Sequence, residues 1–129
     1  GPVMLFVHPN PLDQSAWLYQ LAHFSTWYRC LAVDIPGYGR SPGASHGLTL
    51  EDLAEACWEA IDDAAPDEPA ILVGCSVGSQ IVPQMYHLRP QRTLALVLSG
   101  AFVWWPGIAR WRRSLMVGLR GGWKRINIV

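Results

Sequence analysis

Four short apolar runs constrain this chain more than any other feature: Val3-Met4-Leu5-Phe6-Val7, Cys30-Leu31-Ala32-Val33, Ala70-Ile71-Leu72-Val73 and Leu94-Ala95-Leu96-Val97-Leu98. None alternates cleanly between apolar and polar residues, which is the pattern of strands buried on both faces. Such strands need helices above and below a mostly parallel sheet. The intervening segments supply them. Ser15 to about Thr26 carries Trp17, Leu18, Leu21 and Phe24 at helical spacing. Thr49 and Asp52 approximate a capping box ahead of a stripe of Leu50, Leu53, Ala54, Cys57, Ile61 and Ala64. A third helix is predicted from about Val77 to Leu88, where Pro83 removes a backbone bond and predicts a kink or a late start. The fold class is therefore α/β, a parallel sheet of about four strands joined by right-handed crossover helices.

With 129 residues, half of them hydrophobic, the chain allows one domain with a real core. Residues 1–100 hold the sheet pattern. Residues 101–129 are different, with Trp104, Trp105, Trp111 and Trp123 set among Arg110, Arg112, Arg113, Lys124 and Arg125. Two readings of them stay open: the start of a lid, or aromatics that pack against further parts of the protein. A nucleic-acid stacking platform is the weakest reading, because no single-strand-binding pattern surrounds them, and no nucleic-acid partner is expected. The formal charge is zero, yet all ten Asp and Glu precede Ser76 and eight of the ten Lys and Arg follow it. That asymmetry favours a polypeptide cut before further acidic segments over a basic partner-binding half.

The chain enters its first apolar run directly from Gly1-Pro2, with no basic leader, and is expected to be an excerpt of a longer protein. The uncharged stretch from Thr93 to Ala109 is broken at Ser99-Gly100 and Pro106-Gly107, so a strand and a loop are expected there rather than a membrane span. Cys30, Cys57 and Cys75 form an odd set with no C-x-x-C, which indicates neither a disulfide framework nor a zinc site and points to the reducing cytoplasm.

Chemistry enters at Gly74-Cys75-Ser76-Val77-Gly78, a G-x-S-x-G run between an apolar strand and a helix. The tight turn brings strand and helix together and leaves little room for a Cβ at either flank. A serine hydroxyl is an effective nucleophile only when exposed beside a base, with preset N–H donors for the oxyanion it creates. The N–H of Val77, at the helix start, is one such donor. Two more segments accompany it. Val7-His8-Pro9-Asn10-Pro11-Leu12-Asp13 resembles an H-G-x-P loop, and Val33-Asp34-Ile35-Pro36-Gly37-Tyr38-Gly39-Arg40-Ser41 resembles a D-x-P-G-x-G-x-S segment. In this order, over about residues 3–100, the three resemble the α/β-hydrolase superfamily, in its serine hydrolase branch.

The resemblance implies that the strands lie in the spatial order second, first, third, fourth, with a crevice at the switch point between the first and the third. It implies Ser76 as nucleophile and the N–H groups of Val77 and Asn10 as oxyanion hole, with Trp17 and Tyr38, and Trp104 or Trp105 beside them, as candidates to line the pocket of a small hydrophobic or aromatic ester. Pro9 stands where the family usually has Gly, and Ser79 where a second small Gly is frequent. His8 is expected to be structural, Asp34 to hold the Gly-rich loop that follows it, and Cys75 to be a buried thiol pointing away from the tip. No cofactor is implied. Gly37-Tyr38-Gly39 has Pro42 where a dinucleotide fingerprint needs its third Gly, and no metal-ligand cluster is present.

In that family the base follows the nucleophile in chain order. His8, His23 and His46 precede Ser76, His87 lies on the helix the serine opens, and no acid follows. The triad acid and base are thus expected outside these residues, and the chain alone is expected to be inactive. The alternative is a non-catalytic protein of the same fold that binds a small molecule or another protein in the crevice.

Overall fold

The structure, a computed structural model, describes residues 1–36 and 48–100. Tyr38, His46, the Gly-rich loop and residues 101–129 lie outside the described residues. In chain order the elements are β1 (Val3–Val7), a 3-10 turn (Gln14–Trp17) running into α1 (Leu18–Phe24), β2 (Arg29–Val33), α2 (Leu50–Ala64), β3 (Ala70–Cys75), α3 (Gly78–Leu88), a second 3-10 turn (Pro90–Arg92) and β4 (Thr93–Ser99). All four apolar runs are strands. They pair in parallel in the order β2-β1-β3-β4, the order the resemblance implies.

The register decides what meets at the carboxyl edge. Val7 stands opposite both Val33 and Gly74, and Cys75 stands opposite Ser99, so all four strands end nearly level. The segments that leave them therefore emerge side by side.

Alternation along β1 splits the core in two. Val3, Leu5 and Val7 face α2 and α3, where Ala54, Cys57, Trp58, Ile61, Ile81, Val82 and Met85 close over them. Met4 and Phe6 face α1, joined by Val73, with Trp17, Leu21 and Phe24 packed against them. The first 3-10 turn and α2 start where the sequence supplies a side-chain cap. The Asp13 carboxylate accepts the Ser15 N–H at 2.8 Å, and Thr49 and Asp52 exchange both bonds of the capping box at 3.1 and 2.7 Å.

Three expectations need correction. Leu18 is exposed, because only Trp17, Leu21 and Phe24 of the first helical segment reach the sheet. The stripe of α2 centres on Trp58, fully buried, while Leu50 at its first turn is exposed. α3, Gly78–Leu88, lies where it is expected and continues through Pro83, which forfeits one backbone bond, to the Ser79 carbonyl. β4 is not buried on both faces: among the described residues Leu94, Leu96, Val97 and Leu98 remain exposed.

Candidate active site

Where β3 gives way to α3, Ser76 takes φ +52, in the left-handed region that non-glycine residues seldom enter. That conformation costs roughly 1–3 kcal/mol and persists only where the surroundings enforce it. Here they do. The Ser76 N–H donates to the Ser99 carbonyl at 2.9 Å, and the Ser76 carbonyl accepts the Ser79 N–H at 3.0 Å and the Ser79 hydroxyl at 2.5 Å.

The flanking glycines are dictated by backbone contact. A Cβ on Gly74 would lie 2.3 Å from the Gly78 carbonyl oxygen and 2.8 Å from the Ser79 nitrogen. A Cβ on Gly78 would lie 2.3 Å from the Val7 carbonyl oxygen and 3.2 Å from that of His8. The start of α3 is thus pressed onto β3 on one side and onto the end of β1 on the other. This second contact sets the segment His8-Pro9-Asn10 beside the turn that carries Ser76.

That segment is fixed by two ties to the residues after β2. His8 is fully buried, and its Nε2 accepts the Ile35 N–H at 2.9 Å, so the ring proton resides on Nδ1, which donates to the Pro9 carbonyl at 2.9 Å. Both ring nitrogens being engaged, His8 is a structural residue, as expected. Asp34 accepts the Gln14 N–H at 2.7 Å through Oδ1 and the Gln14 side-chain amide at 3.3 Å through Oδ2. These bonds run twenty residues back in the sequence, to the foot of the 3-10 turn, while the Gly-rich loop that Asp34 is expected to hold lies outside the described residues. Between the ties, the Leu12 N–H donates to the Pro9 carbonyl at 3.0 Å and closes a turn around Asn10 and Pro11, whose peptide is cis. Asn10 itself is exposed.

The other singled-out residues fall in different places. Trp17 lies with its ring 5.2 Å from that of Phe6, and its indole N–H is buried with no acceptor among the described residues. Its visible contacts are those of the α1 side of the core. Cys75 is half-buried rather than buried and alternates onto the side of Ile71 and Val73. Cys57, wholly enclosed, has its thiol pushed up to about 12 by burial, which leaves it unreactive near neutrality. His23 packs edge-on against Phe24 and Trp27. His87 is exposed in the last turn of α3, roughly 14 Å along the axis from the helix start. Among the described residues no group of three or more His, Cys, Asp or Glu is placed to hold a metal, and no helix is long and apolar enough to cross a membrane. Sequence reasoning missed Gln14 and the role of Ser79. The second had a signal, a hydroxyl in the first helical turn three residues past the nucleophile.

Set against known proteins, residues 2–126 match the family described as alpha/beta hydrolase fold. The chain is 31% identical over 96 residues to a haloalkane dehalogenase of Mesorhizobium japonicum, an overlap of 74% of this chain and 31% of that protein. It is 32% identical over 111 residues to the pimeloyl-acyl-carrier-protein methyl ester esterase of Salmonella newport, covering 81% of this chain and 41% of that one. A solved structure described as an N-acyl homoserine lactone degrading enzyme superposes with a TM-score of 0.70 at 28% identity, over 76% of this chain and 38% of that one. The chain spans well under half the length of each of these relatives.

Proposed function

The chain belongs to the alpha/beta hydrolase fold family, and from that premise we propose that it carries the nucleophile and the oxyanion donors of a serine hydrolase acting on an ester or related acyl bond. The observation that carries the proposal is the turn at Ser76: a serine forced to φ +52 at the carboxyl edge of the sheet, with the first residues of α3 pressed against the end of β1.

In this reading Ser76 Oγ attacks the acyl carbon while a base takes its proton. The N–H groups of Val77 and Asn10 meet the oxyanion. Collapse releases the leaving group, protonated by the same base, and water then cleaves the acyl-Ser76 ester by the reverse sequence. No cofactor is needed. A carboxylate nucleophile would make an alkyl ester, whereas a serine makes an acyl ester, so Ser76 favours acyl substrates, with small hydrophobic or aromatic esters as the class.

The base and acid are assigned to residues beyond these. His8 spends both ring nitrogens on backbone, His87 stands at the far end of α3, and no Asp or Glu follows Ser76. The free thiols of Cys30, Cys57 and Cys75 support a cytoplasmic setting.

The test is labelling of the full-length protein with a fluorophosphonate probe, followed by peptide mapping. Labelling is expected at Ser76, with turnover of an activated ester falling by about 10⁴- to 10⁶-fold in Ser76→Ala. Labelling that survives Ser76→Ala would overturn the assignment.

A further inference from the structure

Ser79 stands out as a buried hydroxyl, 3% exposed, that the mechanism above does not use. Its partner gives it a role. Both donors recorded on the Ser76 carbonyl come from Ser79, its N–H at 3.0 Å and its Oγ at 2.5 Å, while the next amide, that of Gln80, goes to the Val77 carbonyl at 3.0 Å. The Ser76 carbonyl and the Val77 N–H belong to one planar peptide group. In a trans peptide the two point in opposite directions. Whatever holds the carbonyl therefore aims the N–H.

We propose that Ser79 is a positioning residue for the oxyanion hole: by gripping the Ser76 carbonyl from two atoms it locks that peptide so that the Val77 N–H faces the crevice, and it polarises that N–H as a donor. The proposal rests on the serine hydrolase reading of Ser76. Its physical basis is twofold. Hydrogen bonds accepted at a peptide oxygen strengthen the N–H at the other end by cooperative polarisation, on the order of 10–30% per bond. Donors fixed in advance also avoid reorganisation when charge develops, which is the main source of oxyanion stabilisation. A hydroxyl at this point adds to the backbone bond a second anchor that glycine or alanine lacks.

The experiment compares wild type, Ser79→Ala and Ser79→Gly in the full-length protein. Both variants keep the backbone bond and lose the hydroxyl, and they differ in helix propensity, Gly being the poorer helix former. A purely structural serine would split the two by stability and leave kcat alone. The proposal expects kcat for an activated acetate ester to fall about tenfold in both, short of the ~100- to 1,000-fold that deletion of an oxyanion donor costs, with KM unchanged. It also expects the Ser76 carbonyl carbon and the Val77 amide proton to shift upfield by NMR in both variants, a readout independent of turnover. Unchanged kcat, a change confined to KM, or unmoved resonances would overturn it. If wild type itself neither labels at Ser76 nor turns over ester, the serine hydrolase reading fails first and takes this assignment with it. Labelled wild type with unaltered variants sinks the Ser79 role alone.

Discussion

At its amino end α3 is held by backbone: Gly78 lies against the Val7 carbonyl and Gly74 against Gly78, with no room for a single carbon between them. At its carboxyl end it is held by side chains. Trp58 of α2, fully buried, donates its indole N–H to the Met85 carbonyl at 2.9 Å, and the guanidinium groups of Arg89 and Arg92 lie over its ring at 5.3 and 5.0 Å. Asp62 accepts from both arginines, and Glu55 from Arg89. The contrast follows from what each end must do. A backbone contact positions atoms closely but has no slack, which suits a turn that aims Ser76. An anchor made of a ring and several charges tolerates the loss of parts, which suits the attachment of one helix to another.

The largest expected effect is at the anchor. Trp58→Ala removes the bulkiest fully buried side chain among the described residues and is expected to cost about 3–5 kcal/mol by denaturant unfolding. The Met85 carbonyl keeps the Arg89 N–H at 3.0 Å, so the loss is chiefly cavity and ring contact. Trp58→Phe, which keeps most of the apolar bulk but not the N–H, should cost about 1–2 kcal/mol. A graded pair of this kind sharpens the contrast; equal losses in the two would erase it.

At the turn no such gradation is expected. Gly78→Ala drives a Cβ into the Val7 and His8 carbonyls, costing about 1–3 kcal/mol by overpacking and moving the start of α3 off β1. Fluorophosphonate labelling of Ser76 should drop far more than stability does, since the proposed oxyanion donors, Asn10 and Val77, sit on the two segments forced apart. A Gly78→Ala protein with wild-type stability and labelling would break the distinction between the ends.

The same contrast explains what could be read from the sequence. The turn was legible because five contiguous residues, Gly74 to Gly78, encode it, and the β1 loop was legible because its motif is local too. The four strands were legible as apolar runs, but their order came only with the resemblance, since nothing in a run names its neighbour. The anchor was not legible. Arg89 and Arg92 follow α3, and helical periodicity says nothing of which ring on α2 they will cover. The tie from Asp34 to Gln14 joins segments twenty residues apart and escaped for the same reason. β4 misled in the other direction: its apolar pattern describes a strand covered on both faces, while among the described residues most of its large side chains stay exposed. Hydrophobic pattern reports the surroundings a segment requires, which the described residues supply for β1 and not for β4.

The smallest effect concerns the charges at the anchor. Hydrogen bonds from Arg92 and then Arg89 hold the Asp62 carboxyl below the usual carboxylate range. A carboxyl whose folded value is depressed contributes stability that is present above the unfolded value, roughly 4, and is lost as pH falls through the lower folded value. The Asp62 side chain is 37% exposed, so solvent screens the pair and the contribution is expected to stay within about 1 kcal/mol and to shrink with added salt. Asp62→Asn keeps an acceptor but loses the charge. The difference in urea midpoint between wild type and Asp62→Asn should therefore be constant from pH 7 to about 5 and close below about 4, as wild type is protonated toward the variant's charge state. Other acids titrate in both proteins and cancel in the comparison. A difference that stays undiminished as pH falls from 5 to 3 would mean that Asp62 acts by shape rather than charge. A difference rivalling that of Trp58→Ala would mean that the anchor depends on one ion pair and lacks the slack that sets it apart from the turn.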